Sequence, residues 1–127
     1  MPDTRIPEEG RNWVVETLVG EGDDLKEIAI GVGDTPTSDS DTELDNEVFA
    51  TAFDGGNASI TNHDGESIRF TITFTGGTEV DPDDEIIEIG VFSESDQLIY
   101  REVRDEPIDL DPGQSITVEF LIELENI

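Results

Sequence analysis

From Ile68 to Thr75 the side chains alternate without a break. Ile68, Phe70, Ile72 and Phe74 occupy one set of positions, and Arg69, Thr71, Thr73 and Thr75 the other. A period of two is that of a strand with one buried face, and a helix cannot gather such residues into one apolar stripe. The stretch Ser115 to Ile127 repeats the pattern: Ile116, Val118, Phe120, Ile122 and Leu124 point inward, while Thr117, Glu119, Glu123 and Glu125 face water. Two strands of this kind need a second layer to cover their apolar side. Ile86–Phe92 has few polar positions and reads as a strand buried on both faces.

The remaining segments supply that layer. Glu27–Gly33, Val48–Phe53, Ala58–Thr61 and Leu98–Val103 read as short strands, separated by turn signals such as Asp54-Gly55-Gly56-Asn57, Asn62-His63-Asp64-Gly65 and Asp111-Pro112-Gly113. Ile and Val together number 23 against 7 Leu, a balance that favours pleated sheet over helix. Pro7 to Val19 is the one helix candidate. Pro7 suits its first turn, Glu8 and Glu9 complement the N-terminal dipole, and Gly20 can close it. Trp13, Val14, Leu18 and Val15 would form its buried stripe, with a strand as the rival reading because Trp13, Val14 and Val15 are all β-formers. Thr42–Glu47 reads as a single helical turn capped by Thr42, and Met1–Ile6 as a loose arm. The expected fold is mainly β: a single antiparallel β-sandwich, jelly-roll-like, with one short N-terminal helix. Residues 1–10 form an N-terminal arm and 11–127 one domain, as a chain of 127 residues suggests.

Charge constrains the partners. The chain has 33 acids and 6 bases, a net charge of −27. Spread over roughly 6,700 Å² of surface, that is about one net charge per 250 Å². Nucleic acid needs a positive footprint and anionic lipid needs basic segments, so both are excluded as partners. Disorder is the usual companion of such charge, but Ile, Val, Leu and Phe make up about 28% of residues, above the disorder range. Lys26 is the only lysine beside five arginines. Abundant acids with almost no lysine point to molar salt, where screening removes self-repulsion. Cysteine is absent, which excludes a disulfide framework and thiol chemistry. No apolar stretch reaches transmembrane length, and Met1–Gly10 lacks the layout of a signal peptide, so a soluble, non-exported chain is expected.

Several clusters invite a chemical reading. Asp39, Asp41, Glu43 and Asp45 alternate with other residues and offer hard oxygen ligands to Ca²⁺. An EF-hand loop starting at Asp39 requires Gly at the sixth position and Glu at the twelfth; Leu44 and Ala50 stand there. With acids this abundant, such runs also arise by chance, so no cofactor is expected and Ca²⁺ is the one to test. Asp81, Asp83, Asp84 and Glu85 form a second, similar run. His63 has no second histidine to work with, no serine lies in a Gly-x-Ser-x-Gly elbow, and Gly31-Val32-Gly33 lacks the rest of a phosphate loop. Asn57-Ala58-Ser59 fits the N-glycosylation pattern on a turn. Gly31, Gly33 and Gly90 suit close strand approach or bulges. Glu88, between Ile87 and Ile89, should be partly buried and therefore paired with Arg69, Arg101 or Arg104. The chemistry on offer is that of a non-enzyme.

The order of segments carries a resemblance. Ile28-Ala29-Ile30-Gly31-Val32-Gly33 precedes Thr35-Pro36-Thr37-Ser38; Asp41-Thr42-Glu43-Leu44 leads to Asn46-Glu47-Val48. Ile87-Glu88-Ile89-Gly90-Val91-Phe92, Leu98-Ile99-Tyr100-Arg101 and Ile116-Thr117-Val118-Glu119-Phe120 follow. Spanning Arg11 to Ile127, this series resembles the small tail-fibre-like or head-fibre-like structural proteins of tailed double-stranded DNA viruses. Gly33-Asp34-Thr35 departs from the usual Gly-Thr-Thr, and the loops are more acidic, as suits a virus of a halophilic archaeon. The resemblance implies a sandwich assembled on a particle, as a homo-oligomer (a trimer or other symmetric ring) with other virion proteins, and it implies no catalytic residues. The expected role is a virion component, either a capsid decoration or turret subunit or a tail or baseplate adaptor, with Arg5, Ile6 and Trp13 as contacts to the particle or sister subunits. A cell-surface or carbohydrate- or calcium-dependent binding module is the alternative.

Overall fold

The computed structural model describes residues 3–10, 13, 24–53, 57–62 and 67–123. Among these residues eight strands run in chain order: β1 (Asp3–Arg5), β2 (Leu25–Gly31), β3 (Glu47–Ala52), β4 (Ala58–Asn62), β5 (Ser67–Thr75), β6 (Ile86–Ser93), β7 (Leu98–Ile108) and β8 (Ser115–Glu123). They pair antiparallel into a five-stranded sheet of order β1-β7-β6-β2-β3 and a three-stranded sheet of order β4-β5-β8. The fold is a mainly β sandwich, as its alternation requires.

The alternating strands β5 and β8 are partners, with Phe70 opposite Phe120 and Ile72 opposite Val118. Their buried sides meet Ile28, Ile30, Ile89, Val91 and Tyr100 of the larger sheet in one core. Phe120 stacks between Phe70 (5.3 Å) and Tyr100 (5.5 Å), so an aromatic column links the two layers. β6 is buried along both faces, because the larger sheet is covered on its outer side as well. There Leu44, reaching from the long β2–β3 connection, packs on Ala29, Phe92 and Leu98 in a second, smaller cluster.

Three local expectations change. Asp3–Arg5 is an edge strand against Val103, Glu102 and Arg101 of β7 instead of a loose arm, because its backbone satisfies the open edge of β7. Residues 42–47 form no helical turn: the Asp45 and Asn46 amides donate to Glu88 instead of to carbonyls of a preceding turn, and Glu47 already belongs to β3. β7 runs five residues further than expected, to Ile108, which sits opposite Ile86. Of the candidate helix, residues 8–10 and 13 are helical; residues 11, 12 and 14–19 lie outside the described residues, as do His63 and the C-terminal residues 124–127.

Glu102 is an unusual occupant of the sandwich. It is 6% exposed, accepts a hydrogen bond from the Tyr100 hydroxyl (3.1 Å) and has the Arg104 guanidinium 3.9 Å away. Burial raises its pKa above the ordinary carboxylate value, against the opposing pull of Tyr100 and Arg104; burial likewise pushes the Tyr100 phenol up. An acid with a raised folded pKa binds its proton in the native state before the unfolded one does. Stability should therefore rise as pH falls through the folded pKa towards 4.5, and be lost as pH climbs back. Glu102→Gln should raise the melting temperature at pH 7 and flatten this pH dependence. A thermal series from pH 4.5 to 8 checks it; a variant that melts lower at pH 7 would reverse the assignment.

Candidate functional site

The connection from Val32 to Asn46 lies over the outer face of the larger sheet, held by one buried ion pair. Glu88 of β6 is fully buried and Arg101 of β7 is 2% exposed. Arg101 directs both Nε (3.2 Å) and Nη2 (3.0 Å) at Glu88 Oε1. The same carboxylate accepts three loop amides: Asp45 N on Oε1 (2.8 Å), and Gly33 N (2.9 Å) and Asn46 N (2.7 Å) on Oε2. Arg101 Nη1 reaches on to Asp41 of the loop (3.3 Å). Burying two charges is unfavourable unless every lone pair and proton finds a partner; here the loop backbone provides those partners, so ion pair and loop conformation require each other. The pairing of Glu88 follows from β6 and β7 being neighbours. Arg69 instead meets Glu119 on the other sheet (3.3 Å), and Arg104 lies beside Glu102.

Three glycines make room for this arrangement. A Cβ at Gly31 would stand 2.4 Å from the Asn46 carbonyl and 2.6 Å from Glu88 Oε2. One at Gly33 would stand 2.3 Å from the Asp45 Cβ, and one at Gly90 2.7 Å from Leu44 Cδ2. β2 also shifts register against β3 at Ile30/Gly31, where the strand gives way to the loop. Gly31→Ala should destabilise the fold by about 2–4 kcal/mol, because the clash falls on backbone and on the buried carboxylate. Chemical denaturation measures this, and a loss below about 0.5 kcal/mol would mean that the loop yields freely.

Further contacts tie the loop to the N-terminal strand. Arg5 Nη1 donates to Asp39 (2.7 Å), and the Glu8 amide donates to the Asp39 carbonyl (3.0 Å). Asp3 accepts from the Thr37 amide (2.8 Å) and hydroxyl (2.7 Å), which lower its pKa below the usual value. The run weighed as a calcium loop is thus drawn in different directions. Asp39 turns to Arg5, Asp41 to Arg101 and to the Ser38 amide, and Asp45 accepts from the Thr35 hydroxyl, while Glu43 is exposed. Among the described residues no three acids or histidines gather as a metal site. Of the three residues assigned to particle contact, Arg5 is partly exposed at the sheet edge, Ile6 is 7% exposed within the core, and Trp13 packs against that core.

A cleft of about 230 Å³ lies beside the loop, lined by Thr35, Ser40, the Asp41–Asp45 stretch and Arg101. Arg101 is engaged by Glu88 and Asp41, so the cleft does not present a free cation to an anion. What the arrangement does well is fix a fifteen-residue connection rigidly on a sheet. Arg101 was only one of three possible partners in the sequence; the signal that singles it out is spatial, since it stands opposite Gly90 across β6 and β7. No family model matches the chain, nor does any curated protein or solved structure. No helix among the described residues is long and apolar enough to cross a membrane.

Proposed function

We propose that this protein is a non-enzymatic structural subunit displayed on the virion of a tailed virus of a halophilic archaeon, as a capsid decoration or turret subunit or as a tail or baseplate adaptor. One observation carries the reading. The short motifs behind the viral resemblance, scattered over some seventy residues, converge on a single structural unit: Gly31, Gly33, Asp41, Leu44, Asn46, Glu88, Gly90 and Arg101 all meet at the loop anchor. Their shared work is to hold a loop. That suits a building block whose surface must keep one shape in an assembly, and its ionisable groups pair with one another instead of facing a substrate. The acidic coat suits assembly in a cytoplasm at molar salt.

The protein would act with other virion proteins and sister subunits, without a cofactor. Mass spectrometry of gradient-purified particles from the source culture tests this. Recovery at a fixed ratio to the major capsid protein is expected, and absence from intact particles would sink the reading. Stoichiometric calorimetric heat with Ca²⁺ in molar KCl would favour the calcium-dependent binding module instead.

A further inference from the structure

β1 is a short strand on the edge of the larger sheet. It has three residues, all exposed, and one neighbour, β7. Two of its side chains hold it to the β2–β3 loop. Asp3 accepts hydrogen bonds from Thr37, and Arg5 makes an exposed ion pair with Asp39, which molar salt screens. Thr4, between them, lies opposite Glu102 on the other face. Its side chain hydrogen-bonds Tyr100, whose hydroxyl in turn donates to Glu102 (3.1 Å). A chain of polar groups therefore runs from the edge strand to a buried carboxyl. Ile6 and Pro7, buried just after β1, fix the point about which a detached strand would pivot.

We infer that docking of β1 on β7 is coupled to proton uptake by Glu102, so that β1 closes the sheet edge when this carboxyl is neutral and loosens when it is charged. Among the described residues, Tyr100 and Arg104 of β7 are the ionisable groups that face Glu102. Thr4 of β1 and Ile89 of β6 stand opposite it without charge, and the inward residues of β8, Val118, Phe120 and Ile122, are apolar. Asp3 and Arg5 alternate to the other face. With β1 in place, burial outweighs Tyr100 and Arg104 and holds the carboxyl above its ordinary value; with β1 detached, water reaches it and the ordinary value returns. The docked state is thus the one that holds the proton, and docking strengthens as pH falls through the raised value and weakens as pH climbs past it. Asp3 acts in the opposite sense, but its lowered carboxyl takes up a proton only below the ordinary 3.8, outside this range. The coupling is local to one strand and independent of the virion reading.

Amide exchange of the full chain, followed by NMR in molar KCl from pH 5 to 8, tests it. After correction for the intrinsic rise of exchange with pH, protection of the amides in the β1–β7 ladder should fall several-fold across this range. It should also lie below that of the β5 amides throughout, since β1 opens without the sandwich. The fall should share its midpoint with the Glu102 carboxyl, read from its own carbon shift. Tyr100→Phe removes a donor that favours the charged form and should move that midpoint to higher pH. Asp39→Asn breaks the Arg5 ion pair and should weaken β1 at every pH without moving the midpoint. Glu102→Gln should hold β1 equally at both ends of the range. Protection of β1 that is constant with pH in the wild type overturns the inference, as does a fall that persists in Glu102→Gln. Exchange in step with β5 also overturns it, because β1 then opens only with the whole molecule. Should Glu102→Gln fail to fold, a β1 midpoint in the wild type that differs from that of the Glu102 carboxyl decides against the coupling.

Discussion

Glu88→Ala should lower the melting temperature in molar KCl by roughly 10–20 °C, the largest single-residue effect anticipated in this chain. The substitution strips three amides, those of Gly33, Asp45 and Asn46, of their acceptor and leaves Arg101 buried with only the more distant Asp41. Breaking one side of a buried pair costs about 3–5 kcal/mol, because the remaining charge has lost its compensation. Arg101→Met should cost a comparable amount for the mirror reason: it leaves a buried carboxylate facing amides alone. The double variant should fall short of the sum of the two, since either change already releases the loop. Removing the pair with well-packed apolar residues should not rescue stability here, although it does where ion pairs stand alone, because the orphaned amides remain. Thermal melts of the three variants in molar KCl decide the matter, and unchanged curves would mean that the loop holds itself in place without the pair.

Diluting the salt should have an effect of similar or greater size. Below about 0.1 M the Debye length reaches 10 Å or more, and neighbouring acids at the density of this surface begin to act on one another. Glu47 shows the pressure locally: burial first, then the neighbouring charges of Glu27, Glu88 and Glu43, raise its carboxyl pKa. Thirty-three acids against six bases leave most of this repulsion uncompensated. The melting temperature should rise steadily from dilute to molar KCl, and at low ionic strength the monomer should be partly unfolded at room temperature. A curve indifferent to salt would mean that the acidic coat has no bearing on the environment in which the protein folds.

Most of the sandwich was legible because the signal was local. Ile68 to Phe74 alternates strictly and Ile116 to Ile122 does so but for Leu121, and a one-residue slip in either strand would turn its apolar set to water, so strand type and inward face are both determined. The burial of Glu88 was also readable, from one carboxyl between two isoleucines. β1 was not readable, because Asp3-Thr4-Arg5 has no apolar alternation; it is a strand because the edge of β7 offers it a ladder. The helical turn assigned to residues 42–47 failed for a related reason. Thr42 and the acids near it favour a helix start in isolation, but Leu44 finds an apolar patch on Ala29 and Phe92, and the Glu88 carboxylate takes the amides that a helix would have used.

By itself, then, the sequence determined the fold class, the inward faces, the need of Glu88 for an arginine, and the acidic coat. All of these depend on the character of residues close together in the chain. Only the tertiary structure decided that Arg101 is the partner and that Gly31, Gly33, Gly90 and Leu44 serve one loop. Each of these depends on which strands become neighbours. Strand order is set by long-range packing, and no local pattern encodes it.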